Sequence, residues 1–186
     1  MDFDLTSKTA VVTGASIGIG RAIAKGLARE GARVVAVARR KDLLETLVQE
    51  VKTQGNGAVI PVTQDMMEED AAAKLTARAT SELGHVDILV NNAGGSRPLP
   101  VDAPDSAWDE AIALNFTSYR KLAHALLPQM VEHRWAASST SPANRSRKGS
   151  MRLLPRRLPS MPGPRGFPAR SASTASRSTA FRRGGS

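Results

Sequence analysis

Hydrophobic and polar positions follow two different periods along the first 135 residues. Short apolar runs of strand length, Lys8 to Thr13, Arg33 to Ala38, Ala58 to Thr63 and Val86 to Val90, alternate with longer stretches in which apolar residues recur every three or four positions. The longer stretches predict helices over Gly18 to Glu30, Lys41 to Lys52, Met67 to Leu83, and from about Asp105 towards Glu132 with Pro128 as a candidate kink. Val34, Val35 and Val37 form a run that is apolar in both phases, as expected of a strand covered on both faces. Gly31 stops the first helix, and Gln54-Gly55-Asn56-Gly57 supplies a turn before the third strand. Strands alternating with helices predict an α/β domain built on a parallel sheet.

The pattern stops at Trp135. Residues 136–186 hold 11 Ser, 10 Arg, 7 Ala, 6 Pro and 5 Gly and contain no Val or Ile. So little apolar surface cannot offset the entropy of ordering, so this segment is expected to be a disordered basic tail. Charge divides at the same place. Of 26 Lys and Arg, 11 follow Trp135, whereas all 17 Asp and Glu precede it, so the formal +9 belongs to the tail. The expected division is therefore a folded domain over 1–135 and a tail over 136–186.

Several classes of function drop out. Without Cys there are no disulfides, thiolate zinc sites or Cys nucleophiles. His85, His124 and His133 are not spaced as metal ligands, so no metal is expected. Met1 to Thr6 lacks the features of a signal peptide, and no apolar run approaches the roughly 18 residues of a membrane span. A cytoplasmic protein without membrane association is the expectation. The tail's cations would attract phosphates, but Phe167 and Phe181 are its only aromatics, too few for a base-stacking platform. No specific nucleic-acid partner is expected.

The strongest chemical signal is Thr13-Gly14-Ala15-Ser16-Ile17-Gly18-Ile19-Gly20, lying between a predicted strand and a predicted helix. Gly14 permits a tight turn, Gly18 lets a pyrophosphate approach the backbone, and Gly20 allows close helix–strand packing. The helix N-terminus then faces the anion. About 20 positions past such glycines an NAD site carries an acidic residue for the ribose hydroxyl. Here that position is Ala38, followed by Arg39, Arg40 and Lys41. A carboxylate would repel a 2′-phosphate and a guanidinium binds one bidentately, so NADP(H) is favoured over NAD(H). The alternative is that these are solvated cations opening a helix.

The spacing Thr-Gly-x-x-x-Gly-x-Gly resembles the short-chain dehydrogenase/reductase family. Asn91-Asn92-Ala93-Gly94 after the fourth strand and Asn115 in Ala113-Leu114-Asn115-Phe116-Thr117 extend the resemblance, which covers residues 1 to about 135. It implies an incomplete Rossmann-like, doubly wound parallel sheet that binds a nicotinamide cofactor, with Ser16, Ile19, Met66, Asn91, Ala93 and Gly94 joining the glycines at the cofactor. Asp65 matches the family position at the adenine ring, with a loop or helix N-cap aspartate as the alternative. The implied reaction is hydride transfer between the cofactor and a small-molecule carbonyl or alcohol, possible substrates including 3-oxoacyl thioesters. Family members are usually homo-oligomers.

The resemblance also implies a catalytic Ser and a Tyr-x-x-x-Lys pair, with Asn115 as the fourth catalytic member. Neither Ser nor the pair is found at the expected place: the one tyrosine, Tyr119, precedes it and is followed four residues later by Ala123. The tail reads as GC-rich codons out of frame. With one G restored after the Trp135 codon, Ala136–Ser141 becomes Gly-Arg-Ile-Val-Asn-Ile, the family's fifth strand. The same shift lets Ala175–Gly184 encode Gly-Ile-Thr-Val-Asn followed by a Pro-Gly-containing segment. In the restored frame Arg157 can become Lys, but Leu153 cannot become Tyr. The expectation is a frameshifted member with little or no turnover, or alternatively a non-catalytic dinucleotide-binding remnant. The edge of its fourth strand and the apolar face carrying Leu122, Leu126 and Leu127 are expected to be uncovered.

Overall fold

The computed structural model describes residues 5–53, 57–95, 99–133 and 137–140. Five strands, β1 (Thr9–Thr13), β2 (Arg33–Ala38), β3 (Ala58–Thr63), β4 (Ile88–Asn91) and β5 (Ala137–Thr140), form one sheet in the order β3-β2-β1-β4-β5. Every pairing is parallel. Helices α1 (Gly18–Arg29) and α2 (Lys41–Lys52) cover one face, and α3 (Ala71–Leu83) and α5 (Ser118–Glu132) the other. The result is the doubly wound, Rossmann-like α/β architecture that the sequence pattern predicts.

Strand alternation divides the core in two. Val12, Ala36 and Val90 pack beneath Leu27, Leu44, Leu47 and Val51 of α1 and α2. Val11, Val35 and Leu89 point the other way, onto Leu75 and Ala79 of α3 and Leu122, Leu126 and Met130 of α5. Because successive strand residues face opposite sides, a strand buried on both reads as a near-continuous apolar run. All five residues of β1 are buried: Ala10, Val11 and Val12 are apolar, and the terminal Thr9 and Thr13 are hydrogen-bonded, to Asp87 and to the N–H groups of Asn92 and Ala93. Pro61 lies in β3, at the sheet edge, where its missing N–H is tolerated.

Three expectations need correction. The sheet continues past Trp135: Ala137–Thr140 pairs with Ile88–Asn91 and covers the edge of β4. Ala-Ser-Ser-Thr has no apolar run to announce a strand, and the exposed β4 backbone supplies the partner groups. The remainder of the expected tail, 141–186, lies outside the described residues. Leu122 and Leu126 are fully buried against the sheet. Leu127 is exposed as expected, and the other exposed apolar residues here are Val131, Trp108 and Ile112 of α4 (Asp105–Ile112), and Phe116.

The long helix is also not uniform. A π-helical turn, Ala113–Thr117, separates α4 from α5, and Asn115 is at its centre. Asn115 Nδ2 donates to the carbonyl of Ala111 and Ser118 Oγ to that of Leu114, so side chains compete for carbonyls the backbone would otherwise use. α3 begins at Ala71 rather than Met67, because Asp65 Oδ1 accepts the Met67 N–H in a turn before the helix.

Candidate functional site

The chain winds outward from β1 through β2 to β3 and then crosses back to β4. Connections from β1 and β4 therefore leave in opposite directions, opening a crevice above their carboxyl ends. An open cleft of about 810 Å³ lies there, walled by the β1–α1 turn, the ends of β2 and β3, and the segment after β4.

The turn is shaped for close backbone approach. Gly14 has φ of +67°, and a Cβ on it would lie 2.9 Å from the Asn92 carbonyl oxygen. No side chain caps the start of α1, and its first turn contains no acidic residue, so the N-terminal N–H groups remain available to an anion. A Cβ on Gly18 would meet no atom within 4 Å. Gly20 lies behind the turn, packed against Gly14 and the Asn92 side chain.

Of the residues expected at the cofactor, Gly14, Ser16, Gly18, Ile19, Arg39, Arg40, Asp65, Met66, Ala93 and Gly94 line the cleft. Gly20, Asn91 and Asn115 are not among its lining residues. Asn91 is buried in β4, and its Oδ1 has no hydrogen-bond partner among the described residues. Asn115 is turned onto backbone: Oδ1 accepts from Gly95 N (3.1 Å), and Nδ2 donates to the carbonyls of Gly95 (3.0 Å) and Ala111 (2.9 Å).

The cationic corner sits at one end of the cleft. Ala38 closes β2, Arg39 reaches Asp65 Oδ2 at 3.9 Å, and Arg40 Nη2 donates to Ser16 Oγ at 3.4 Å. Arg39 is 77% exposed, so its ion pair is weak and the guanidinium is free to be recruited by another anion. Asp65 lines the cleft and also caps the turn at Met67; the N-cap of α3 is Asp70.

Some contributions could not be read from the sequence. Thr13 Oγ1 accepts the N–H groups of both Asn92 and Ala93, joining the ends of β1 and β4. Gln64, which belongs to no motif, and Leu114, beside Asn115, also line the cleft. Tyr119 is buried, with its hydroxyl and Asn115 Oδ1 both against Gly94: a Cβ there would lie 2.7 Å from the former and 2.6 Å from the latter. Burial pushes the phenol above its ordinary pKa, so it is neutral at physiological pH.

At the other end of β4, His85 and His133 stack with centroids 4.3 Å apart, and His85 Nε2 lies 3.3 Å from buried Asp87. Among the described residues no cluster of His, Cys, Asp or Glu is arranged to hold a metal, and no helix is long and apolar enough to cross a membrane.

Comparison with known proteins gives the same picture. The family model for short chain dehydrogenase matches residues 8–137. A short chain dehydrogenase of Pseudocercospora fijiensis is 46% identical over 136 residues, which are 72% of this chain and 44% of that protein. The 3-oxoacyl-acyl-carrier-protein reductase FabG of Escherichia coli is 38% identical over 135 residues, 72% of this chain and 53% of that one. Among solved structures, L-sorbose reductase from Gluconobacter frateurii, complexed with NADPH and L-sorbose, superposes with a TM-score of 0.72 at 35% identity, covering 75% of this chain and 54% of that one. The chain thus spans about half the length of the curated relatives it matches. With the glycine turn, the Asn-Asn-Ala-Gly segment and the sheet order all in place, the chain belongs to the short-chain dehydrogenase family.

Proposed function

We propose that residues 5–140 form a dinucleotide-binding unit that takes NADP(H) in preference to NAD(H), and that the activity behind it is hydride transfer between NADP(H) and a small carbonyl or alcohol. The observation that carries the cofactor reading is the corner where Ala38 replaces a carboxylate and Arg40 reaches Ser16. The uncapped start of α1 and Gly14 and Gly18 suit the diphosphate, Arg39 and Arg40 the 2′-phosphate, and Asp65 and Met66 the adenine end. Ala93 and Gly94 would lie along the cofactor, with Asn91 holding the end of β4. When bound, the nicotinamide supplies the hydride. Asn115 fixes Gly95 against the helix rather than facing the cleft.

Among the described residues, none matches the expected proton donor. Tyr119 is buried and is not followed by the x-x-x-Lys spacing that would lower its pKa. We therefore propose that the chain binds cofactor with little or no turnover, in the cytoplasm, and that residues 136–186 are an out-of-frame extension. The 3-oxoacyl thioesters remain one candidate substrate class for an intact member.

The test is to titrate the purified chain with NADPH by nicotinamide fluorescence and then follow NADPH oxidation with a panel of carbonyl compounds. Binding without oxidation is the expected result. Carbonyl-dependent oxidation would overturn the non-catalytic reading, and absence of binding would overturn the cofactor reading.

A further inference from the structure

Arg21 follows the last glycine of the turn and faces away from the cleft, towards α2. Its side chain is only 19% exposed, and its guanidinium joins three segments. Nη1 donates to the carbonyls of Ser16 at 3.2 Å and Leu43 at 2.6 Å. Nη2 donates to Thr46 Oγ1 at 3.2 Å and to Glu50 Oε1 at 2.9 Å. Lys25, one turn further along α1, holds the other oxygen of Glu50 at 3.2 Å. Leu43, Thr46 and Glu50 are spaced by three and four residues, so they present one face of α2 to α1.

Four acceptors in this arrangement require a planar fork, which an ammonium cannot replace. Ser16 belongs to the glycine turn, whereas Leu43 lies in the first turn of the helix that Arg40 caps. Arg21 therefore ties the turn to the cationic corner. Two further ties run between them, Ala15 N to the Val37 carbonyl at 3.0 Å and the longer Arg40 to Ser16 Oγ contact at 3.4 Å.

We infer that Arg21 is a positioning residue for cofactor choice: without touching the cofactor, it fixes the separation of Ser16 from Arg39 and Arg40 and so sets the preference for a 2′-phosphorylated dinucleotide. This rests on the reading of the cleft as an NADP(H) site. A diphosphate is held by the turn alone, but a 2′-phosphate must be met by groups on both sides of the joint. Loosening the joint therefore weakens NADPH more than NADH, because a misplacement of about an ångström is enough to spoil bidentate contacts. A merely structural role would weaken both cofactors alike.

The test measures dissociation constants for NADPH and NADH with the full chain and with Arg21→Met and Arg21→Lys, at fixed ionic strength. Both substitutions are expected to weaken NADPH about tenfold and NADH less than threefold, collapsing the preference. If neither variant folds, Thr46→Ala and Glu50→Ala carry the test, each removing one acceptor on α2; the preference must fall at least twofold in the pair combined. An unchanged preference, or equal weakening of both cofactors, overturns the role of Arg21. If the unsubstituted chain shows no preference for NADPH, the reading of the cleft fails and this inference falls with it. If that preference is present and the variants keep it, only the inference fails.

Discussion

Thr13 and Asn92 lock the end of β1 to the end of β4 in both directions: Thr13 Oγ1 accepts the Asn92 N–H at 2.9 Å, and Asn92 Nδ2 donates to the Thr13 carbonyl at 3.3 Å. The same hydroxyl accepts the Ala93 N–H at 3.0 Å. One buried side chain thus serves two backbone donors on the floor of the cleft, where glycine-turn and Asn-Asn-Ala-Gly segments meet.

Thr13→Val keeps the shape of that side chain and removes the acceptor. Two backbone N–H groups lose their partner, which is expected to cost about 2 kcal/mol. A lower urea midpoint with an unchanged slope would show it, and Thr13→Ser should recover most of the loss.

Gly94 sits against two polar atoms, Asn115 Oδ1 and Tyr119 Oη. Gly94→Ala is expected to destabilise by about 1–3 kcal/mol through overpacking. Tyr119→Phe removes one of the two obstacles, so the double substitution should cost less than the sum of the singles. Additive costs in a double-mutant cycle would contradict the contact.

Tyr119 is the chain's one tyrosine, so phenolate absorbance near 295 nm reports a single site. Burial raises its pKa in the folded state above the ordinary value of 10.0. Its contribution to stability is then complete below pH 10 and is lost as pH rises from there through the folded value. Titration of the native protein should begin later than in denaturant. Stability measured from pH 9 to 11 should fall more steeply for the parent than for Tyr119→Phe.

Glu50 has the opposite sign. Hydrogen bonds from Arg21 and then Lys25 hold its carboxyl below the ordinary 4.5. Its contribution is present above that value and is lost as pH falls through the folded pKa. Glu50→Gln should flatten the acid limb of the stability curve below pH 4.5, while leaving stability near neutral pH little changed because the pair is at the surface.

Much of the scaffold was legible in the chain's periodicity. The β2, α2 and β3 boundaries, Arg33–Ala38, Lys41–Lys52 and Ala58–Thr63, coincide with their predicted ranges because a two-phase apolar run, an amphipathic repeat and flanking turn residues agree there. Where they failed, a distant partner decided. The π-helical turn at Asn115 depends on Gly95, 20 residues away, and β5 depends on an edge offered by β4 rather than on its own Ser-rich sequence. Most of the cleft was visible in its glycines and arginines. Arg21 was not, since a helical cation looks like any other until its acceptors on α2 are seen.

The fifth strand bears on the reading frame. Ala137–Thr140 pairs with β4, and on the proposed frameshift it occupies the position at which a restored frame would supply Arg-Ile-Val-Asn. The nucleotide sequence around the Trp135 codon should show a missing G, with an open frame continuing downstream. An uninterrupted frame confirmed in the transcript would contradict the frameshift.

Equilibrium dissociation constants of the purified chain for NADPH and NADH, measured side by side at one salt concentration, weigh most heavily. Ser16, Arg39 and Arg40 around an uncapped helix start require tighter binding of NADPH, by about tenfold or more, equivalent to at least about 1.4 kcal/mol. Equal affinities, tighter NADH binding, or no binding of either by the folded protein would contradict that cleft chemistry.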